Sequence, residues 1–146
     1  MRIMAIVLLA AGCAAPTMQR TQYGATLVRY GRGLDLAQVD AVAHVTVDEQ
    51  LCHPSQFAGL TIEVVAADKL PVSCEPFSGQ PCFVVGQCNA ENRKVRIASA
   101  GPHPCMTLVH ELGHWCRGMG HYDPKDQRLR EWVKQIAVRV FRETCE

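Results

Sequence analysis

Two histidines and a glutamate stand at helical spacing in the segment 105–116, namely His110, Glu111 and His114. Residues four apart lie on the same face of an α-helix, so both imidazoles can direct a ring nitrogen at one metal ion. Glu111 is turned by about 100° from His110 around the helix axis, which lets its carboxylate stand beside the metal without binding it. A carboxylate in that place can take a proton from zinc-bound water. The spacing therefore predicts Zn²⁺ as cofactor and Glu111 as the general base.

A third zinc ligand is expected shortly after this helix, because catalytic zinc typically binds three protein ligands and one water molecule. Gly118 or Gly120 can end the helix with a left-handed backbone and turn the chain back. Such a turn would bring His121 to the metal. Asp123 and Glu131 are the alternative third ligands.

The opposite side of the same helix is apolar, since Leu108, Leu112 and Trp115 fall there. An amphipathic helix buries its apolar side, so the two histidines should point away from the packing face.

The rest of the chain has the pattern of one α+β domain that would position this helix. β-Branched runs and turn signals predict strands at 25–30, 60–66, 82–87 and 94–99, the last two forming a hairpin. Apolar spacing predicts helices at 35–51, 105–116 and 124–145, and prolines predict a loop at 68–81. We therefore expect a mixed sheet of three or four strands with a backing helix, an active-site helix and a C-terminal helix.

The pattern His-Glu-x-x-His, followed by a glycine and by a histidine three residues after it, resembles the zincin clan of zinc metallopeptidases, and within it the metzincins. Gly118-Met119-Gly120-His121 keeps the last spacing. Three residues rather than two separate His114 from Gly118, and no methionine follows His121, where the metzincins have their methionine turn.

This resemblance implies a zincin-like domain over residues 25–146 that hydrolyses peptide bonds of a peptide or protein substrate. It implies that His110, His114 and His121 hold the zinc ion while Glu111 activates the zinc-bound water. It also implies that an extended substrate pairs with the strand 82–87. Tyr122 is a candidate to stabilise the oxyanion.

A different class of protein is the alternative, because 146 residues leave little chain from which to build a deep substrate cleft. In that interpretation the chain is a non-catalytic, zinc-stabilised and disulfide-linked envelope protein that acts as a binding module.

The N-terminus has the pattern of an export signal. Residues 3–11 form an apolar run of nine, which is too short to span a bilayer but has the length of a signal-peptide core. The sequence Leu9-Ala10-Ala11-Gly12-Cys13 resembles a bacterial lipobox, which implies that Cys13 is lipidated and anchors the protein to the membrane of the cell envelope. We thus expect a signal peptide at 1–12, a tether at 13–24 and the domain at 25–146. An ordinary secretory signal is the alternative.

The eight cysteines fit this compartment, since disulfides persist outside the cytosol and no C-x-x-C pair is present. Cys105 and Cys116 would lie about 16 Å apart along one helix, which is too far for a disulfide. We expect Cys116 to pair with Cys145 instead. Seven cysteines follow Cys13, so at least one thiol should remain unpaired.

The charge balance gives no sign of a nucleic-acid partner. Lys and Arg together number 15 and Asp and Glu number 14, for a net charge of +1, whereas nucleic-acid-binding domains have a basic excess.

Overall fold

A mixed five-stranded sheet carries three helices on one of its faces in the computed structural model, which describes residues 15–70 and 85–145. The strands are β1 (Thr17–Arg20), β2 (Thr26–Arg29), β3 (Thr61–Val65), β4 (Gly86–Asn89) and β5 (Lys94–Ala98). The helices are α1 (Leu36–Asp48), α2 (Pro104–Arg117) and α3 (Gln127–Thr144). The α+β class with a mixed sheet and three helices, the last of them C-terminal, is confirmed, although the sheet has five strands rather than the three or four expected.

The strand order is β1-β2-β3-β5-β4, so β1 and β4 are the two edges. β2, β3 and β5 run parallel, and each edge strand pairs antiparallel with its neighbour. α1 connects the parallel strands β2 and β3. Asp35 begins it with a capping box, in which its carboxylate accepts from the Gln38 backbone and the Gln38 side chain accepts from the Asp35 backbone.

The core lies between the helices and one face of the sheet. Leu27, Ile62 and Val95 form a row across β2, β3 and β5, and all three are fully buried. Leu108 and Leu112 of α2 are also fully buried and belong to the same cluster. The apolar side of α2 is thus held against the sheet, as its sequence pattern predicts.

Three boundaries differ from the sequence-based expectations. β1 lies inside the segment expected to be a tether, because residues 17–20 pair with β2. α1 ends at Asp48 rather than near residue 51, since the chain turns at Gln50, whose φ is positive. β4 extends to Asn89, whose side chain then accepts from the Asn92 backbone in the hairpin turn.

The disulfide expected between Cys116 and Cys145 is wrong. Cys116 pairs with Cys52, and Cys145 pairs with Cys105. A short connection makes α3 run back along α2, so the end of α3 meets the beginning of α2 and not its end. The exclusion of a Cys105–Cys116 bond is confirmed, and among the described cysteines Cys88 is unpaired.

Cys13, the predicted signal peptide, most of the predicted loop at 68–81 and the first three residues of the predicted strand 82–87 lie outside the described residues. Within the described residues, no helix is long and apolar enough to cross a membrane.

Candidate metal centre

The helix that carries the candidate ligands ends where the sequence predicts. Gly118 has φ 61° and ψ 31°, a left-handed conformation that glycine adopts without steric cost. Its backbone N–H donates to the His114 carbonyl at 2.9 Å, and the Met119 N–H donates to the Gly113 carbonyl at 3.4 Å. This turn reverses the chain and brings His121 back over α2.

Three imidazole nitrogens converge at this turn. The Nε2 atom of His110 lies 3.1 Å from Nε2 of His114 and 3.1 Å from Nε2 of His121, and the last two are 2.8 Å apart. His110 and His114 are half-buried, whereas His121 is exposed. Among the described residues these three form the one group of histidine, cysteine and carboxylate side chains close enough to hold a metal ion.

The donor set fits a single metal ion. In a tetrahedral site with metal–nitrogen bonds of 2.0–2.1 Å, which is the length of Zn–N bonds, two ligand nitrogens lie about 3.3 Å apart. The three nitrogens here lie 2.8–3.1 Å apart, close to that separation. Nitrogen ligands in this number are typical of catalytic zinc, but imidazole also suits other transition metals.

The hydrogen bonding of His114 fixes which of its nitrogens is available. Its Nδ1 contacts the carbonyl oxygen of Met119. Because a carbonyl can only accept, Nδ1 carries the proton and Nε2 keeps its lone pair for a metal. The turn after Gly118 therefore orients a candidate ligand and also delivers His121.

The electrostatics favour neutral imidazoles, which is the form that binds metal. Burial, with further contributions from His114 and His121, lowers the pKa of His110 from 6.5 to about 4. Burial also lowers the pKa of His114, against the opposing effect of its bond to Met119. Both side chains thus keep free lone pairs at neutral pH.

Glu111 lies beside the triad in the interface between α2 and β4. It is only 6 % exposed, and burial raises its pKa from 4.5 to about 7. A Cβ atom built at Gly86 of β4 would lie 2.6 Å from its Oε1 atom, so the carboxylate is seated directly on the backbone of the edge strand. Such a carboxyl group can both take and release a proton near neutral pH.

A cleft of about 610 Å³ opens beside these residues. Its walls are the start of β4, the N-terminal half of α2 and the middle of α3. The side chains from α3 are mainly apolar and comprise Val133, Ala137 and Val138, with Lys134 beside them. The cleft is therefore a mainly apolar space that ends at the histidines and at Glu111.

Sequence reasoning missed the α3 wall and His103. Apolar spacing predicts the helix at 124–145 but not that Val133, Ala137 and Val138 line a cleft. His103 precedes α2 with φ 49°, packs edge-on against Phe141 and lines the cleft. The spacing of residues could have indicated this wall of the cleft. Residues 103, 106, 107 and 110 recur at intervals of three or four, which places them along one face of α2.

The alternative third ligands lie elsewhere. The Asp123 carboxylate accepts from the Lys125 backbone and caps a short turn. Glu131 pairs with Lys134 at 2.8 Å on the surface of α3.

Tyr122 is 74 % exposed with its ring centroid 5.9 Å from that of His121, and its oxyanion role stays a prediction. Cys116 joins Cys52 and so lies outside the ligand set, as expected.

Comparisons with protein-family models, with curated proteins and with solved structures find no match to this chain. The functional argument therefore rests on the residues and their geometry.

Proposed function

We propose that this protein is a zinc-dependent metallopeptidase of the bacterial cell envelope, anchored by lipid at Cys13. The observation that carries the proposal is the convergence of three histidine Nε2 atoms within 3.1 Å of one another beside a buried glutamate. Few structural roles require three imidazoles to meet nitrogen to nitrogen, whereas binding of one metal ion by three histidines does.

His110, His114 and His121 would hold the ion. Zinc bound there supplies Lewis-acid polarisation of a substrate carbonyl and lowers the pKa of water. Glu111 acts as general base and then passes the proton at its carboxylate to the departing amine. Burial raises the pKa of this carboxyl group, which favours its holding the proton between the two steps.

The substrate we infer is an extended peptide with an apolar side chain. β4 is an edge of the sheet, so the side of this strand that does not pair with β5 offers backbone donors and acceptors to a peptide in β conformation. The cleft beside Glu111 offers an apolar space for one side chain.

The non-catalytic alternative has one observation in its favour. A metal shared by α2 and His121 would tie the turn after Gly118 to the helix, and so would stabilise the domain with or without chemistry. That interpretation predicts zinc binding without cleavage of any peptide.

Substitution of Glu111 separates the two proposals. Glu111→Gln keeps the shape of the side chain but removes the base, so peptide hydrolysis should fall by about 10²-fold or more while zinc remains bound. The measurement is cleavage of a peptide library by the zinc-loaded protein, analysed by mass spectrometry beside its metal content. Glu131→Gln on the exposed surface is the control. Equal hydrolysis by Glu111→Gln and the wild type would overturn the catalytic role, and a wild type that binds zinc but cleaves nothing would favour the alternative.

A further inference from the structure

The face of the sheet opposite the helices carries its own pattern. The strand register places two long rows of side chains on it: Met18, Val28, Glu63, Arg96 and Gln87 in one row, and Arg20, Thr26, Thr61, Lys94 and Asn89 in the other. A third, short row on the same face, Val65 and Ala98, is buried in a small apolar cluster with Leu70. We call this surface the open face, because in the described part of the chain all three helices pack on the other side. From it we propose that the protein docks on an anionic phospholipid surface.

Charge complementarity is the first argument. Arg20, Lys94 and Arg96 project from the open face, and the one carboxylate in the two rows is that of Glu63. Glu63 is 7 % exposed and holds Lys94 at 2.7 Å and Arg96 at 2.9 Å, so its own charge is largely covered by these cations. The surface that a partner meets is therefore basic.

The chain as a whole is nearly neutral, so this basic face reflects an uneven distribution of charge. On the open face Arg20, Lys94 and Arg96 stand beside the single carboxylate of Glu63, whereas α1 on the other layer contains Asp40 and Asp48 and no Lys or Arg. A basic patch near a membrane is attracted to anionic lipid by an amount that grows with each cation.

A groove on the open face can receive headgroups. Its volume is about 530 Å³, and Lys69, Lys94, Arg96 and Tyr30 are among the residues that line it. Lys69 pairs with Asp68 only at 3.8 Å, and both side chains are more than 70 % exposed. An exposed ion pair of this kind is weak, so a phosphate group can replace Asp68 as the partner of the lysine.

Exposed apolar groups and the length of the preceding chain favour a membrane over a soluble anion. Met18 is 69 % exposed and Tyr30 is 56 % exposed, and both stand at the β1–β2 side of the open face. Cys13 precedes Thr17 by four residues, which span at most about 14 Å. A lipid attached at Cys13 would hold this side of the sheet within reach of the bilayer.

Docking of the open face on a membrane would determine how the candidate metal centre is oriented relative to that membrane. The cleft lies among α2, α3 and the helix-covered side of β4, opposite the open face. It would then face away from the membrane, toward soluble or wall-bound substrates. The inference does not depend on hydrolysis, since it concerns only the surface.

Binding of the protein to lipid vesicles tests the proposal. The protein used comprises residues 13–146, without the predicted signal peptide, and carries Cys13→Ser so that no acyl chain contributes. Vesicles of phosphatidylcholine alone are compared with equimolar phosphatidylcholine and phosphatidylglycerol by co-sedimentation. We expect binding only to the anionic vesicles. In the double variant Arg20→Gln/Lys69→Gln, vesicle affinity should fall roughly fivefold for each cation removed. The control is Arg128→Gln with Arg142→Gln, which makes the same charge change on exposed positions of α3. Absence of binding, equal binding to neutral vesicles, or an equal loss in the control pair would overturn the proposal.

A fluorescence measurement tests the orientation even if the charge variants fold poorly. Tyr30→Trp places a probe on the open face, and Val138→Trp places one beside the cleft, both at exposed positions. Brominated phosphatidylglycerol in the vesicles should quench the added tryptophan only in Tyr30→Trp, relative to the wild type. Stronger quenching in Val138→Trp would show that the opposite side meets the lipid, and would overturn the proposal.

Discussion

Gly86 lies directly against the carboxylate of Glu111: a Cβ atom on that glycine would stand 2.6 Å from Oε1 and 2.7 Å from Cγ2 of Thr107. Side chains do not approach this closely. The edge strand can therefore support Glu111 beside the histidines only because residue 86 has no side chain.

Gly86→Ala should displace Glu111 while leaving the three histidines in place. A shift of about 1 Å in a catalytic group costs about 10²-fold in rate, so we expect hydrolysis to fall by that order with little change in zinc content. Peptide cleavage and metal analysis on the same sample check this. Gly101→Ala is the matched control, because its Cβ would meet its nearest neighbours at 3.4–3.5 Å, an ordinary contact. Equal rates of peptide hydrolysis in Gly86→Ala and Gly101→Ala would contradict the proposal that Gly86 positions the Glu111 carboxylate.

Removal of one candidate ligand should abolish the effect of zinc on stability. A ligand that binds only the folded state at 100 times its Kd adds about 2.7 kcal/mol to the free energy of unfolding. We expect zinc to raise the thermal midpoint of the wild type and to leave that of His121→Ala and His110→Ala almost unchanged. His44→Ala, an exposed histidine of α1, is the control and should keep the full zinc response. Should His121→Ala bind zinc as tightly as the wild type, the third ligand would have to be another residue.

The local part of the site could be predicted from the sequence. Helical spacing placed His110 and His114 on one face of α2, and the glycine after the helix placed His121 near them. Those predictions depend on residues within about a dozen positions of one another, where backbone geometry is nearly fixed by the helix and its end.

The predictions that failed depend on how distant segments meet. The Cys116–Cys145 bond was wrong because spacing cannot say that α3 runs back along α2 and brings Cys145 to Cys105. β1 was missed because four exposed residues have no apolar alternation, and only pairing with β2 makes them a strand. The contact of Glu111 with Gly86 needs the hairpin and α2 together, which no single segment encodes.

The Cys52–Cys116 disulfide should contribute to the metal site, whereas Cys105–Cys145 should contribute mainly to stability. The first bond lies two residues after His114, where the Trp115 indole and the Arg117 guanidinium also donate to carbonyls of the 50–56 segment. The second lies at the far end of α2. Loss of either bond should cost about 2–5 kcal/mol of folding free energy.

The paired variants Cys52→Ser/Cys116→Ser and Cys105→Ser/Cys145→Ser test this difference. We expect zinc affinity to fall at least about tenfold in the first pair and to change less in the second, because only the first frees the end of α2 that orients His114 and His121. Zinc titration by calorimetry under conditions where both variants are folded measures it. Cys88→Ser should leave zinc affinity unchanged. A larger loss in the second pair would contradict the argument.

The stability of the metal-free protein should depend on pH through His110 and His114, whose pKa values are lowered, and in the opposite sense through Glu111, whose pKa is raised. Between about 4 and 6.5 the unfolded chain holds a proton on His110 that the folded chain lacks, so stability rises with pH through this window. Between 4.5 and about 7 the folded chain holds a proton on Glu111 that the unfolded chain has lost, so this group makes stability fall as pH rises. The His114 contribution has the same sign as that of His110, so the Glu111 slope offsets only part of the histidine slope where the windows overlap.

Glu111→Gln removes only the contribution of Glu111, which makes stability fall as pH rises. The variant should therefore gain stability with rising pH more steeply than the wild type between about 4.5 and 6.5. Above about pH 7 it should exceed the wild type by about 1–3 kcal/mol, since it no longer buries a charged carboxylate. Urea denaturation with a chelator present, repeated across this pH range, measures both effects. Glu131→Gln, whose carboxylate is exposed, should follow the wild type, and parallel profiles for all three proteins would show that burial of Glu111 costs nothing.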